Sequence, residues 1–307
     1  MKKLLLLFAF IAISSISFAQ NKEYQEALSE FRQETITYKT VDGKKLNVLF
    51  FYPEESKMAK SNNPWILYVH GGGWAGGNKL NLGGQSTIGT LRHLLDEGYV
   101  CAAIDYRLAK APTTSFESLI DVKDATRFLI NNAKEYKLSK KNYGIWGGSA
   151  GGHLSLVAAL APDNSFPAEL DFPKTKVSYK YIISLFPFTS CTNPDIFPNS
   201  IFADRKLFVR LLGCELDEAS PELVTVMSPS DLINKKSCPI LLVHGSADTT
   251  LPLINSEYLY EVGQECGANI ELLVIEGAGH SFSGKNISPS LEVMSKHCFD
   301  FIKDNTK

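Results

Sequence analysis

Ser149, Asp248 and His280 stand far apart in the chain, in that order. Together these residue types can move an acyl group. A serine hydroxyl is a weak nucleophile until a base takes its proton, and a histidine serves best as base when a carboxylate fixes its tautomer and balances its charge. Ser149 lies in Gly147-Gly148-Ser149-Ala150-Gly151, a G-x-S-x-G pattern. Asn142 to Trp146 before it reads as a strand, and His153 to Leu160 after it as a small, apolar helix. A serine at the apex of strand, sharp turn and helix is forced into a strained backbone, and glycines at 147 and 151 remove the flanking clashes. The Ala150 N–H then sits at a helix N-terminus, where it can stabilise an oxyanion. The pattern alone also fits a glycine-rich turn with an incidental serine, so the rest of the chemistry must be found elsewhere.

The base and the acid are chosen among few candidates. His280 lies in the loop Gly277-Ala278-Gly279-His280, with room to swing over a serine. His297 lies on a face of the last helix with Val293 and Phe301, His153 belongs to the helix after the nucleophile, His244 ends a strand and holds a turn, and His93 lies on a helix facing away. Asp248 follows the buried strand Ile240 to Val243 and would orient His280; Asp195 and Asp204 are the alternatives, and a turn aspartate is the plain reading. His70-Gly71-Gly72-Gly73-Trp74 follows another buried strand. Adjacent glycines cost chain entropy, and here they let the backbone turn inward, so that Gly72 and Gly73 join Ala150 as oxyanion donors.

The elements that must hold these residues alternate. Glu34 to Thr40 and Leu46 to Tyr52 read as a hairpin around Asp42-Gly43. Trp65 to Val69, Tyr99 to Ile104, Tyr181 to Phe186, Ile240 to Val243 and Ile270 to Ile275 are apolar runs typical of strands buried on both faces. Helical patterns fall at Asn21 to Gln33, Ser86 to Glu97, Phe116 to Tyr136, Leu253 to Cys266 and Pro289 to Ile302. The expected fold is α/β, a mostly parallel sheet with helices on both faces and an antiparallel N-terminal hairpin at one edge. Ligands of such sheets bind beyond the carboxyl ends of the strands, where all four motifs fall. Residues 188–235 are too long for a plain connection and read as a lid-like insert or pocket wall, with a helix at Arg205 to Leu212.

With 307 residues, 44% of them apolar, the chain can bury a large core. A net charge of −2 without a basic stripe argues against a nucleic-acid partner. Lys2 and Lys3, the apolar run Leu4 to Ile13 and Ser17-Phe18-Ala19 form the pattern of a signal peptide over residues 1–19, leaving residues 20–307 as one exported domain, periplasmic or secreted, without stable membrane insertion. None of the six cysteines forms a C-x-x-C pair, and no metal-ligand spacing appears, so neither metal nor cofactor is expected. Export permits disulfides, and Cys191 and Cys214, both in the insert, are the expected pair.

The motifs His70-Gly71-Gly72-Gly73-Trp74, Asp105-Tyr106-Arg107-Leu108-Ala109, Gly147 to Gly152, His244-Gly245-Ser246-Ala247-Asp248 and Gly279-His280-Ser281-Phe282 resemble the esterase/lipase branch of the α/β-hydrolases. That branch includes hormone-sensitive-lipase-like carboxylesterases and exported bacterial feruloyl and acetyl-xylan esterases. The resemblance covers roughly residues 35 to 303. It implies a Ser–Asp–His triad at Ser149, Asp248 and His280, glycine N–H donors at Gly72 and Gly73, and a structural role for Asp105 and Arg107 as a buried pair behind the oxyanion loop. The chain departs from it at Lys110-Ala111-Pro112, where many relatives have Pro-Glu, and by its short N-terminal stretch, which favours the polysaccharide-esterase side. The function implied is a secreted serine carboxylic-ester hydrolase, the alternative an amidase, arylformamidase-like enzyme or peptidase with the same triad. Trp74, Phe186, Phe188 and Phe282 are expected to wall the cleft and keep the acyl group short. The polar insert (Thr192-Asn193-Pro194-Asp195, Pro198-Asn199-Ser200, Asp217-Glu218) suits a carbohydrate alcohol carrying acetyl or feruloyl esters.

Overall fold

A computed structural model describes residues 19–172, 174–193 and 206–306. The signal-peptide pattern lies outside them except for Ala19, as do Asp195 and Asp204 of the insert. Helix α1 covers residues 19–28. Strands β1 (Arg32–Val41) and β2 (Lys44–Tyr52) form the antiparallel hairpin. Its two-residue turn works because Asp42 and Gly43 both take positive φ, 48° and 74°. Then come β3 (Asn63–Val69), α2 (Ile88–Asp96), β4 (Val100–Ile104), α3 (Ser115–Asn131), β5 (Leu138–Gly148), α4 (Ala150–Leu160) and β6 (Ile182–Leu185). Short helices α5 (Lys206–Leu212), α6 (Pro221–Val226) and α7 (Pro229–Leu232) follow, and β7 (Ile240–Gly245), α8 (Ile254–Cys266), β8 (Ile270–Ile275) and α9 (Leu291–Asn305) complete the order.

The eight strands make one sheet in the order β1-β2-β4-β3-β5-β6-β7-β8. Pairs involving β2 are antiparallel; all others are parallel. Alternation within β3 shows why the strands read as continuous apolar runs. Trp65, Leu67 and Val69 enter the core under α3, α4 and α8, while Ile66 and Tyr68 enter the core under α2 and α9. Helix α4 is buried on nearly every side from Ala150 to Ala158, which explains its lack of a polar face.

This order places β3 beside β5, so the glycine loop after Val69 abuts the turn after Gly148. The ends of β7 and β8 lie farther along the same edge and supply the loops carrying Asp248 and His280. The described part of the insert packs as a wall: Leu207, Phe208, Leu211, Leu212 and Met227 are all buried in the core.

Candidate active site

Ser149 adopts φ 56° and ψ −123°, in the left-handed half of the map that L-residues avoid. The neighbours allow it only because they are glycines. A Cβ at Gly147 would stand 2.3 Å from the Gly151 carbonyl oxygen, and one at Gly151 would stand 2.1 Å from that of Val69. The Ser149 N–H is anchored to the Leu185 carbonyl at 2.8 Å, leaving the hydroxyl at the tip of the turn.

His280 Nε2 lies 3.1 Å from Ser149 Oγ, and its Nδ1 lies 2.7 Å from Asp248 Oδ2. A carboxylate can only accept, so Nδ1 carries the proton and Nε2 faces the serine hydroxyl as an acceptor. The other oxygen of Asp248 accepts from the N–H groups of Thr250 and Leu251, at 2.8 and 3.0 Å. Burial opposes ionisation of Asp248, yet His244, His280 and the Leu251 N–H hold its carboxyl well below the usual carboxylate range. His244 fixes the same loop, with Nδ1 2.7 Å from Ser256 Oγ and Nε2 donating to the Leu251 carbonyl at 2.7 Å.

Gly72 and Gly73 take φ 118° and 56°, and both border the cleft above Ser149. Their N–H groups and that of Ala150 meet no acceptor among the described residues. At Gly72 the turn is too tight for a side chain, since a Cβ would meet the Gly76 carbonyl oxygen at 2.3 Å. His70 braces the loop from behind: its Nδ1 donates to the Gly71 carbonyl at 2.7 Å, its ring stacks on Tyr106 at 4.1 Å, and the Tyr106 hydroxyl donates to the His70 carbonyl. Burial pushes the His70 imidazole down to about 4, so it stays neutral.

The cleft has a volume of about 840 Å³. Phe186 borders it and meets the His280 ring edge-to-face at 4.8 Å. The other three expected wall residues do not line it. Trp74 and Phe282 are 1% exposed and Phe188 is fully buried. Trp74 donates its indole N–H to His153 Nδ1 at 3.2 Å, Phe188 packs against both rings, and Phe282 lies under Phe186. Such large rings gain more by filling the core behind the loops than by facing water.

Two further expectations are corrected. Asp105 and Arg107 do not pair with each other. Asp105 binds Lys79 Nζ at 2.8 Å, and Arg107 binds Asp121 and Glu169, because each finds a dedicated counter-ion on a different element. Cys191 and Cys214 are free thiols. Cys191 is buried with its Sγ against the Met227 carbonyl, and burial pushes its thiol up to about 12.

Other residues at the cleft escaped the sequence reading. Arg210 donates from Nη1 to the Gly73 carbonyl at 2.8 Å, tying the insert to the glycine loop. Gln20, Asn21, Glu23 and Tyr24 of α1, and Asn78, Asn81 and Gln85 after the glycine loop, form one wall. Only the density of amides between Asn78 and Gln85 marked that wall in the sequence. Among the described residues, Asp121, Asp124 and Glu169 come close enough together to hold a cation, and Lys39 Nζ occupies their centre, 2.7 Å from each aspartate.

Comparison with known proteins gives the family. The BD-FAE family profile matches residues 51–262. Esterase LipC of Mycobacterium tuberculosis is 27% identical over 71% of this chain and 53% of its own length. The ethyl acetate hydrolase of Pseudomonas putida is 27% identical over 79% of this chain and 73% of its own. A solved thermophilic esterase of Thermogutta terrifontis superposes with a TM-score of 0.70 at 25% identity, over 87% of this chain and 90% of that one. This chain spans about half the length of LipC. With most of its sheet and the nucleophile turn inside the matched span, the chain belongs to the BD-FAE family of α/β-hydrolase esterases.

Proposed function

We propose that the protein is an exported serine carboxylic-ester hydrolase acting on short acyl esters, acetyl above all, of a carbohydrate. The observation that carries the reading is the hydrogen-bonded chain from Asp248 through His280 to the strained Ser149, beneath two glycines with inward-turned backbone. Ser149 Oγ attacks the ester carbonyl carbon while His280 Nε2 takes the hydroxyl proton. The carbonyl oxygen becomes an oxyanion, and the N–H groups of Gly72, Gly73 and Ala150 stabilise it. Asp248 keeps the imidazolium in place and balances its charge. Collapse breaks the bond to the alcohol, whose oxygen receives the proton from His280. Water, deprotonated by the same imidazole, then attacks the acyl-serine; the bond to Oγ breaks, Oγ takes the proton back from His280, and the acid leaves.

Support for a short acyl group comes from Phe186, whose ring would stand 3.0 Å from a Cβ placed on Gly148 and so closes one flank of the serine. The similarity to an ethyl acetate hydrolase points the same way. Export rests on the residues 1–19 pattern alone. Among the described residues no helix is long and apolar enough to cross a membrane. The test has two parts. Reaction with a p-nitrophenyl organophosphate should add its phosphoryl mass to the Ser149 peptide and to no other. Specificity constants for acetyl through palmitoyl esters of one alcohol, and for methyl ferulate, should fall beyond the short acids. A rise toward palmitoyl would overturn the short-acyl reading, and labelling of another residue would overturn the nucleophile.

A further inference from the structure

The cleft, about 840 Å³, is far larger than an acetyl group requires, and one side of its lining lies away from Ser149 in the chain and carries no catalytic residue. That side is built by α1 and by the turn over residues 78–85, not by the catalytic loops. Helix α1 is seated closely there. Leu28 is 1% exposed, and a Cβ on Gly83 would stand 2.6 Å from the Tyr24 carbonyl oxygen and 3.1 Å from Leu28 Cγ. The wall is therefore fixed by packing.

The amides of this wall are half-used. Asn21 Oδ1 accepts from Asn78 Nδ2 at 3.2 Å, and Asn81 Oδ1 accepts from the Asn78 N–H at 3.3 Å. Gln85 Nε2 donates to the Ser281 carbonyl at 3.1 Å. These bonds orient each amide and leave its other end, Asn21 Nδ2, Asn81 Nδ2 and Gln85 Oε1, for a ligand. The set offers both donors and an acceptor, the complement of vicinal hydroxyls, which donate and accept at once. The charged carboxylate and guanidinium bordering the cleft are Glu23, in this same wall, and Arg210; a carboxylate beside the three amides repels an acidic alcohol and tolerates a neutral one. Its direction is given by Gln85, which is tied to the residue following His280. His280 is the group that protonates the leaving oxygen, so the amides lie on the side of the departing alcohol.

We infer that Asn21, Asn81 and Gln85 form a subsite for a neutral, polyhydroxylated leaving alcohol, with α1 as one of its walls. The inference rests on the reading of Ser149 as nucleophile and assigns the alcohol side of that same site. Asn21 and Asn81 are half-buried and Gln85 is exposed, and a site whose half-buried amides are satisfied by substrate hydroxyls discriminates against an alcohol that lacks them.

The test compares acetates that differ only in the alcohol: ethyl acetate, glycerol monoacetate and mono-acetylated xylobiose. The wild-type kcat/KM should rise along that series, by about tenfold from first to last. Asn21→Ala and Gln85→Ala should each collapse most of the ratio between acetylated xylobiose and ethyl acetate. Lys22→Ala, on the exposed side of α1, should leave the ratio as it is. A general disturbance of the histidine loop by Gln85→Ala would lower all three esters together, and Asn21→Ala does not touch that loop. A wild-type enzyme that hydrolyses all three acetates equally would overturn the subsite and leave the esterase reading standing, and so would amide variants that keep the wild-type ratio. Hydrolysis of none of the three would overturn both.

Discussion

Two regions of the molecule bury carboxylates, and they do so in opposite ways. Behind the glycine loop, Lys39, Arg107, Lys123 and Arg127 interlock with Asp121, Asp124, Asp163 and Glu169. Each charge there meets an opposite charge, and the lattice closes on itself. It holds the loop after β4, where the Arg107 N–H donates to Asp121 and the Ala109 N–H to the Trp74 carbonyl, and so braces the glycine loop. At the sheet's other end Asp248 meets imidazoles and backbone N–H groups among the described residues. That chain is left open at His280 Nε2, which points at a hydroxyl. A closed set of charges can only hold its shape. An open one, held in place by the same kinds of bond, can pass a proton.

Breaking the open chain should cost activity and little stability. Ser149→Ala should abolish ester hydrolysis, with a loss of about 10⁴–10⁶-fold in kcat, and His280→Ala should be nearly as damaging because members of a triad act as a unit. Kinetics paired with a thermal melt check both. Asp248→Asn should lower kcat by roughly 10³–10⁴-fold with KM nearly unchanged, since the amide oxygen stays on the Thr250 and Leu251 N–H groups, its NH2 turns to His280 Nδ1 and favours the wrong tautomer, and a neutral amide cannot balance the imidazolium.

Breaking the closed lattice should do the reverse. Asp121→Asn leaves Lys39 and Arg107 short of a buried partner and should destabilise the fold by about 3–5 kcal/mol in urea unfolding, while kcat of the folded enzyme falls less than tenfold. A pH experiment extends the contrast to neutral groups. Burial pushes both His70 and His153 down to about 4, and on unfolding they regain an ordinary value near 6.5. The unfolded chain therefore binds more protons between pH 6.5 and 4, so stability is full above this window and is lost as pH falls through it. Each histidine contributes up to about 3 kcal/mol to that loss. His153→Gln should flatten the slope of unfolding free energy against pH. The smallest effect is expected where the regions meet the insert. Arg210→Met frees the Gly73 carbonyl and should lower kcat by about threefold to tenfold with little change in KM. A shift in KM alone would assign Arg210 to substrate binding instead.

Much of the arrangement around Ser149 was legible in the sequence. The turn at Ser149 betrays itself because steric demands on flanking residues are local and only glycine meets them. The loop positions of Asp248 and His280 follow from buried strands that end in polar residues. Hidden from the sequence were the partners. Arg107 was expected beside Asp105 but reaches Asp121 on α3, because charge pairing is settled by which elements pack together and not by closeness in the chain. Trp74, Phe188 and Phe282 were expected at the cleft for their size and their place next to the motifs. Tertiary packing turned all three inward, since the space behind the loops had to be filled and large rings fill it best. For the same reason the amides of α1 and residues 78–85 meaningfully adjoin only after folding. Local backbone geometry is written in a few consecutive residues, whereas a cleft wall is the residue left over once every apolar surface has found its partner.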